Sequence, residues 1–245
     1  MEPEIRIEGL SKVYAIGWSR SGPKAINSLS FEVQKGQIVG VLGGNGSGKS
    51  TLLKSICGLL PISTGSILIS GSDPATAVHQ KKLGYLPERP SFPGYQTPRK
   101  FLLHLGRLSA VDGGSLKGRV QTCIEECGMQ KVADTRIGQL SKGGIQRLAM
   151  AQALLHDPEV LLMDEPMDGL DPLARDNTTA HIRRLSDAGK TVVFATHLLE
   201  GLESVCDQLL VLHRGRSIFF GPPQFESGIK TWLLDRLREG EEEDD

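Results

Sequence analysis

Cysteine is scarce in this chain. Four residues in 245, Cys57, Cys123, Cys127 and Cys206, are too few and too scattered for a disulfide framework, so the fold must rest on a buried core. Cys123 and Cys127 share a helical face, but no histidine or carboxylate cluster accompanies them, which leaves a structural metal centre without a ligand set. Long apolar runs are missing as well: none approaches the roughly 20 residues of a membrane helix, and the opening MEPEIRIEGL lacks the charged-then-apolar pattern of a leader. A cytoplasmic chain is expected. Charge of one sign is also lacking, since 28 Lys and Arg stand against 29 Asp and Glu, and the net charge of -1 gives nucleic acid no general attraction. No guanine-reading NKxD motif occurs, which removes a GTPase switch. Glycine is plentiful instead, at 29 residues, and a 39% hydrophobic content suffices for a sizeable core.

Alternating apolar residues in IRIEGLSKVY and INSLSFEV predict half-buried strands, with GWSRSGPK as the loop between them. QIVGVL reads as a buried strand, STLLKSICGLL as a helix running to Pro61, and SILISG as another strand. From Gln96 to Leu155 the pattern turns helical: Thr97-Pro98 supplies a cap and first-turn proline, and Val120, Cys123, Ile124 and Cys127 fall at i, i+3, i+4 and i+7. Strands return in VLLMD, TVVFATH, QLLVLHRG and SIFFGPP, with a helix from Pro172 to about Gly189. Strands alternating with helices predict a layered α/β core with a mostly parallel sheet. At the C-terminal end, Ile229, Trp232, Leu233 and Leu237 have helical spacing behind Ser227 as a cap, and EGEEEDD reads as a solvated tail.

Between the strand QIVGVL and the helix lies GGNGSGKS, which fits G-x-x-x-x-G-K-[ST] in the strand-to-helix setting that motif requires. Residues without a Cβ let successive N–H groups turn inward on a phosphate, and a helix starting beside them adds its positive end. Gly43, Gly44, Asn45, Gly46, Ser47 and Gly48 therefore form a candidate phosphate cradle continued by Lys49, Ser50 and Thr51. Lys49 reaches the β- and γ-phosphates in such a loop, and the Ser50 hydroxyl ligates Mg²⁺. VLLMDE places Asp164 and Glu165 at the C-terminal end of a buried strand, where parallel sheets bind ligands. Asp164 suits Mg²⁺ and Glu165 suits a general base for the attacking water. His197, ending TVVFATH, is a third polar group on that edge, suited to the γ-phosphate.

With these motifs in order, the chain resembles the nucleotide-binding subunit of ATP-binding cassette (ABC) transporters over nearly its whole length, from about Ile5 to Gly221. LSKGG at Leu140 to Gly144 stands where the family has its LSGGQ signature, GLDP at Gly169 to Pro172 resembles the D-loop, and ATH resembles the H-switch. The resemblance implies a P-loop NTPase (RecA-like) α/β core with an antiparallel β subdomain and a helical signature subdomain. Residues 1–225 would form one nucleotide-binding domain, with a helical part at about 90–157 inserted, and 226–245 a short helix and acidic tail. ATP and Mg²⁺ are the implied cofactors. Tyr14 in SKVY matches the aromatic that stacks on adenine, Ser141 and Gly143 the signature groups that meet a γ-phosphate, and Asp171 the D-loop contact. Glu88 in GYLPERP replaces the Q-loop glutamine, is assigned to Mg²⁺ with Ser50 and Asp164, and is similar to cassettes of bacterial ABC-2 type export systems. A carboxylate there cannot donate a hydrogen bond as an amide does. Lys142 and Gly144 depart from the signature, Lys142 reading either as a charge near nucleotide or as a solvated first-turn lysine.

In this family two cassettes sandwich two ATP molecules, so the expected partners are a second cassette, as a homodimer or a heterodimer, and a separate transmembrane permease. The chain would then lie peripherally on the cytoplasmic face of the membrane, with Phe92 and Tyr95 either meeting the permease or packing inside the helical part. The competing reading, a soluble cassette ATPase acting on ribosomes or nucleic acid, normally shows two cassettes in one chain or a long coiled coil, and neither is present.

Overall fold

The structure, a computed structural model, describes residues 2–14, 22–74, 82–109, 115–225 and 228–242, with side chains described to 236. Strand β1 (Ile5–Val13) pairs antiparallel with both β2 (Lys24–Val33) and β4 (Thr64–Ile69) in a three-stranded sheet ordered β2-β1-β4. Between β2 and β4 the chain enters a second sheet as β3 (Ile38–Leu42), joined there by β5 (Leu83–Leu86), β6 (Val160–Asp164), β7 (Thr191–Thr196), β8 (Gln208–His213) and β9 (Arg216–Gly221) in the order β5-β6-β7-β3-β8-β9. Every pair in it is parallel except β8 with β9. β3, β6 and β7 are buried at every residue, as expected of central strands covered on both faces.

Successive side chains of a strand point to opposite faces, and here they feed two separate cores. Val39, Val41, Val160, Leu162, Val193 and Ala195 pack toward the antiparallel sheet and α1 (Lys49–Ile56). Ile38, Leu42, Leu161, Met163, Val192 and Phe194 pack on the other face with the remaining helices. Fully burying one such side chain is worth about 1.5–3 kcal/mol, so the central strands are the stable platform on which the loops at their ends are held.

Between β5 and β6 lie α2 (Pro98–Leu108), α3 (Leu116–Glu126), a 3-10 turn at Ile137–Gln139 and α4 (Lys142–Leu154). Thr97 caps α2 by accepting from Lys100 N at 3.4 Å with Pro98 in the first turn, and Val120, Cys123, Ile124 and Cys127 are all buried, as their spacing predicts. Phe92 packs edge-on against Phe101 at 5.2 Å, whereas Tyr95 is 78% exposed. The two aromatics of that loop thus divide, one inside and one out. After β6 come α5 (Pro172–Asp187), α6 (Leu202–Val205) and α7 (Ile229–Glu242). α1 stops at Ile56 and does not reach Pro61: Gly58 at φ +69° closes it, with Leu59 N donating to Lys54 O at 2.9 Å in a Schellman-type cap. α7 extends into the acidic stretch expected to be solvated, and it packs on its own chain through Trp232, whose ring lies 5.0 Å from Phe219 and 4.6 Å from Phe225. The expected cap Ser227, the Leu237 side chain, most of the GWSRSGPK loop and residues 243–245 lie outside the described residues.

Candidate nucleotide site

Strand register brings the motifs together. Leu42 at the end of β3 is opposite Thr196 of β7, and Asp164 at the end of β6 is opposite Ala195. Gly43, Glu165 and His197 therefore leave neighbouring strands at one sheet edge. The glycine loop turns through φ +77° at Gly46 and +107° at Gly48, which caps α1. Glycine is obligatory at two of its positions: a Cβ at Gly48 would strike Ala25 O, and one at Gly43 would come within 2.6 Å of Leu212 O.

Lys49, the first residue of α1, curls back so that Nζ donates to Gly43 O at 2.7 Å and Gly44 O at 3.3 Å, and lies 3.5 Å from Glu165 Oε1. Both side chains are more than nine-tenths buried. Glu165 sits in the left-handed region at φ +50°, its N–H donating to Ala195 O at 3.0 Å. Its Oε2 accepts from His197 N at 3.3 Å and lies 2.9 Å from His197 Nδ1. A non-glycine residue held there stores about 1–3 kcal/mol, and the hydrogen bonds on either side of Glu165 are what hold it. The result is a continuous row of cation, carboxylate and imidazole beneath the phosphate cradle.

Asp164 is 1% exposed and its Oδ1 has no partner. Burial raises its pKa above the ordinary carboxylate value; a hydrogen bond with Ser50 and the Lys54 charge lower it, and the Glu88 and Glu165 charges raise it further. A buried, unpartnered oxygen beside a hydroxyl is a hard oxygen donor set suited to Mg²⁺. Ser50 and Asp164 would hold the cation, with Glu88 at the pocket wall, and the ion would supply charge neutralisation to the phosphates. Glu88 is half exposed and lies 3.3 Å from Arg89 Nε. Tyr14 stands at the pocket mouth, its hydroxyl 3.3 Å from Thr51 Oγ1 and its ring under Lys12 Nζ at 5.4 Å.

A testable consequence follows from Asp164. Its carboxyl holds a proton more tightly folded than unfolded, so its contribution to stability is full below the unfolded value of about 3.9 and is lost as pH rises through the raised folded value. Once ionised, the metal-free Asp164 carries a desolvation cost that asparagine does not. Asp164→Asn should therefore be at least as stable as wild type without Mg²⁺ near neutral pH, lose the Mg²⁺-dependent stabilisation, and turn over ATP on the order of 100-fold more slowly. Thermal melts with and without Mg²⁺ check it; a variant less stable in the metal-free state contradicts the assignment.

A cavity of about 550 Å³ is lined by Gly44 to Thr51 with Tyr14, Ala25, Glu88, Arg89, Glu165, Asp168 and His197; Gly43 and the buried Asp164 lie outside its lining. Ser141, Gly143 and Asp171 are not in it. They line a second crevice of about 500 Å³ with Leu140, Lys142, Gly144 and Gly169. Ser141 caps α4, accepting from Gly144 N at 3.2 Å, and Asp171 caps α5, accepting from Ala174 N at 2.9 Å. Sequence reasoning missed Asp168 and Arg89 in the nucleotide pocket. Arg89 carries no signal beyond its place next to Glu88, and Asp168 reads in sequence as an ordinary Asp-Gly turn residue.

A phosphate cradle over a buried lysine, with a carboxylate pair at the end of β6, one strand removed from β3 in the same parallel sheet, defines a P-loop NTPase. The family model described as ABC transporter matches residues 26–168. The chain is 37% identical over 237 residues to an uncharacterized ABC transporter ATP-binding protein of Synechocystis, covering 96% of this chain and 67% of that one. It is 39% identical over 207 residues to Nod factor export ATP-binding protein I of Burkholderia lata, covering 83% and 68%. Among solved structures, an ATP binding subunit of an ABC transporter superposes with a TM-score of 0.78 at 27% identity over 89% of both chains. The chain belongs to the ABC transporter family, as an ATP-binding protein of that family and an ATPase.

Proposed function

We propose that this chain hydrolyses ATP as one of two cassettes that close around the nucleotide and so drive a separate membrane subunit, in the direction of export. The observation that carries this reading is the division of the chain into two unlike crevices. One has the cradle, Lys49 and Glu165 but no signature; the other has Ser141 and Gly143 at a helix N-terminus but no cradle. Each is what the other lacks, so a second chain turned about a two-fold axis would complete both.

In that pair Lys49 would exchange its bonds to Gly43 O and Gly44 O for phosphate oxygens. Glu165, held by backbone and by His197, would take the proton of the attacking water, and His197 would stand against the γ-phosphate. Tyr14 would face the adenine. Among the described residues no helix is long and apolar enough to cross a membrane, so transport would act through another subunit, with this chain on the cytoplasmic face. Tyr95 and Leu108, exposed at 78% and 84% around the first helix of the β5–β6 excursion, offer it an apolar contact. Export is supported by Glu88, by LSKG and by the relative named for Nod factor export.

Mixing two inactive variants tests the shared site. Lys49→Met disables the cradle and leaves the signature. Gly143→Asp places an anion where phosphate would lie, and since a Cβ at Gly143 meets nothing nearer than 3.9 Å, the fold can accommodate it. Each alone should turn over ATP on the order of 100-fold more slowly than wild type, and an equimolar mixture should regain activity that neither has. A mixture no more active than its components rules out a site built from two chains.

A further inference from the structure

The segment from Glu165 to Asp171 belongs to both crevices: Glu165 and Asp168 line the nucleotide pocket, while Gly169, Leu170 and Asp171 line the signature crevice. One side chain bridges from the signature to the nucleotide side. Lys142, at the start of α4, donates from Nζ to Asp168 Oδ2 at 3.2 Å. Its stem lies over Gly169, whose φ is +61°, and a Cβ added there would strike Nζ and stand 2.8 Å from Cε. Glycine at 169 thus serves both the backbone turn and the passage of the lysine.

With side chains 63% and 50% exposed, the pair would contribute little as an isolated surface bridge. Its setting makes it more specific. A cation in the first turn of a helix opposes the helix dipole, so Lys142 occupies a position that is unfavourable unless an anion lies close by, and Asp168 is that anion. A parallel tie, Gln146 Nε2 to Pro166 O at 3.1 Å, fastens α4 to the same segment without reaching a residue of the nucleotide pocket. Among the described residues, the lysine is the one side chain that joins the two pockets through this segment by a side-chain to side-chain bond. Lys142 is a first-turn residue with a side chain 63% exposed, as a solvated lysine would be, but its Nζ is engaged by Asp168.

We propose that Lys142 is a positioning residue for ATP hydrolysis: paired with Asp168 across Gly169, it transmits occupancy of the nucleotide pocket to the signature of the same chain, and so presets the surface offered to the second copy. This rests on the two-cassette reading above.

Hydrogen exchange on the full chain, diluted until light scattering shows a monomer, tests it with Mg²⁺ and ATP added. In wild type, ATP should slow exchange at the glycine loop and also at 139–144. Lys142→Ala and Asp168→Asn should keep the first protection and lose the second by about fivefold, and Lys142→Arg should restore it. In turnover assays the same two variants should lower kcat severalfold with KM nearly unchanged, and the double variant should cost no more than either single one. Protection at 139–144 that survives in Lys142→Ala overturns the proposal. So does a rise in KM for Lys142→Ala with Asp168→Asn silent, which would mean that the lysine reads phosphate directly. Absence of glycine-loop protection in wild type would instead remove the nucleotide reading itself.

Discussion

Glu165→Gln should bind ATP with an affinity within a few-fold of wild type, hydrolyse it on the order of 10²–10⁴ times more slowly, and accumulate as an ATP-dependent pair. Glutamine retains the shape of the side chain and one acceptor oxygen, so the bond from His197 N, observed at 3.3 Å, can persist. The left-handed backbone at 165 is held by the bond to Ala195 O, which the substitution does not touch. What disappears is the basicity, because an amide cannot accept the proton of the attacking water. Binding and catalysis separate for that reason: the cradle and Lys49 are intact while the proton acceptor is gone. If closing depends on ATP and opening on its hydrolysis, the closed pair has no exit. Phosphate release and light scattering, measured on the same samples, check both parts. Normal turnover in this variant would show that Glu165 is not the base.

The sheet edge was legible in the sequence because its parts announce themselves locally. GGNGSGKS needs its glycines for reasons visible at Gly43 and Gly48, where backbone oxygens leave no room for a Cβ. VLLMDE and TVVFATH are buried runs that end in polar groups, and register alone sets those ends side by side. The helix at Val120 to Cys127 was legible from its period. What escaped depends on contacts between distant segments. Nothing in MDGLD marks Asp168 as lining the cavity of the glycine loop on one side and meeting Lys142 on the other, because that arrangement requires the path of the loop between β6 and α5. The end of α1 was misread for a local reason: apolar residues continue to Leu60, but Gly58 in the left-handed region stops the helix first. Phe92 and Tyr95 read alike in sequence and differ in the fold: Phe92 packs on the ring of Phe101, whereas Tyr95 is exposed.

Lys49→Met should lower turnover by on the order of 100-fold, weaken ATP binding by on the order of 100-fold or more, and lower the stability of the nucleotide-free chain. Methionine retains an unbranched stem, so the loss is one of charge and hydrogen bonds more than of volume. In the free chain Nζ ties Gly43 O and Gly44 O to the Glu165 carboxylate. Removing it loosens the glycine loop and leaves a buried carboxylate without its cation. Breaking a buried pair in this way costs about 3–5 kcal/mol, and the surviving contacts from His197 N and Nδ1 bring the expected loss here to roughly 2 kcal/mol. The sign of the second step is the stronger test. Adding Glu165→Gln to Lys49→Met removes the stranded charge, so the double variant should be more stable than Lys49→Met alone, although each replacement discards half of the pair. Thermal melts of the four chains give the coupling directly. Additive losses would mean that Lys49 and Glu165 do not depend on one another before nucleotide arrives, and that the 3.5 Å approach contributes nothing to holding the empty cradle in shape.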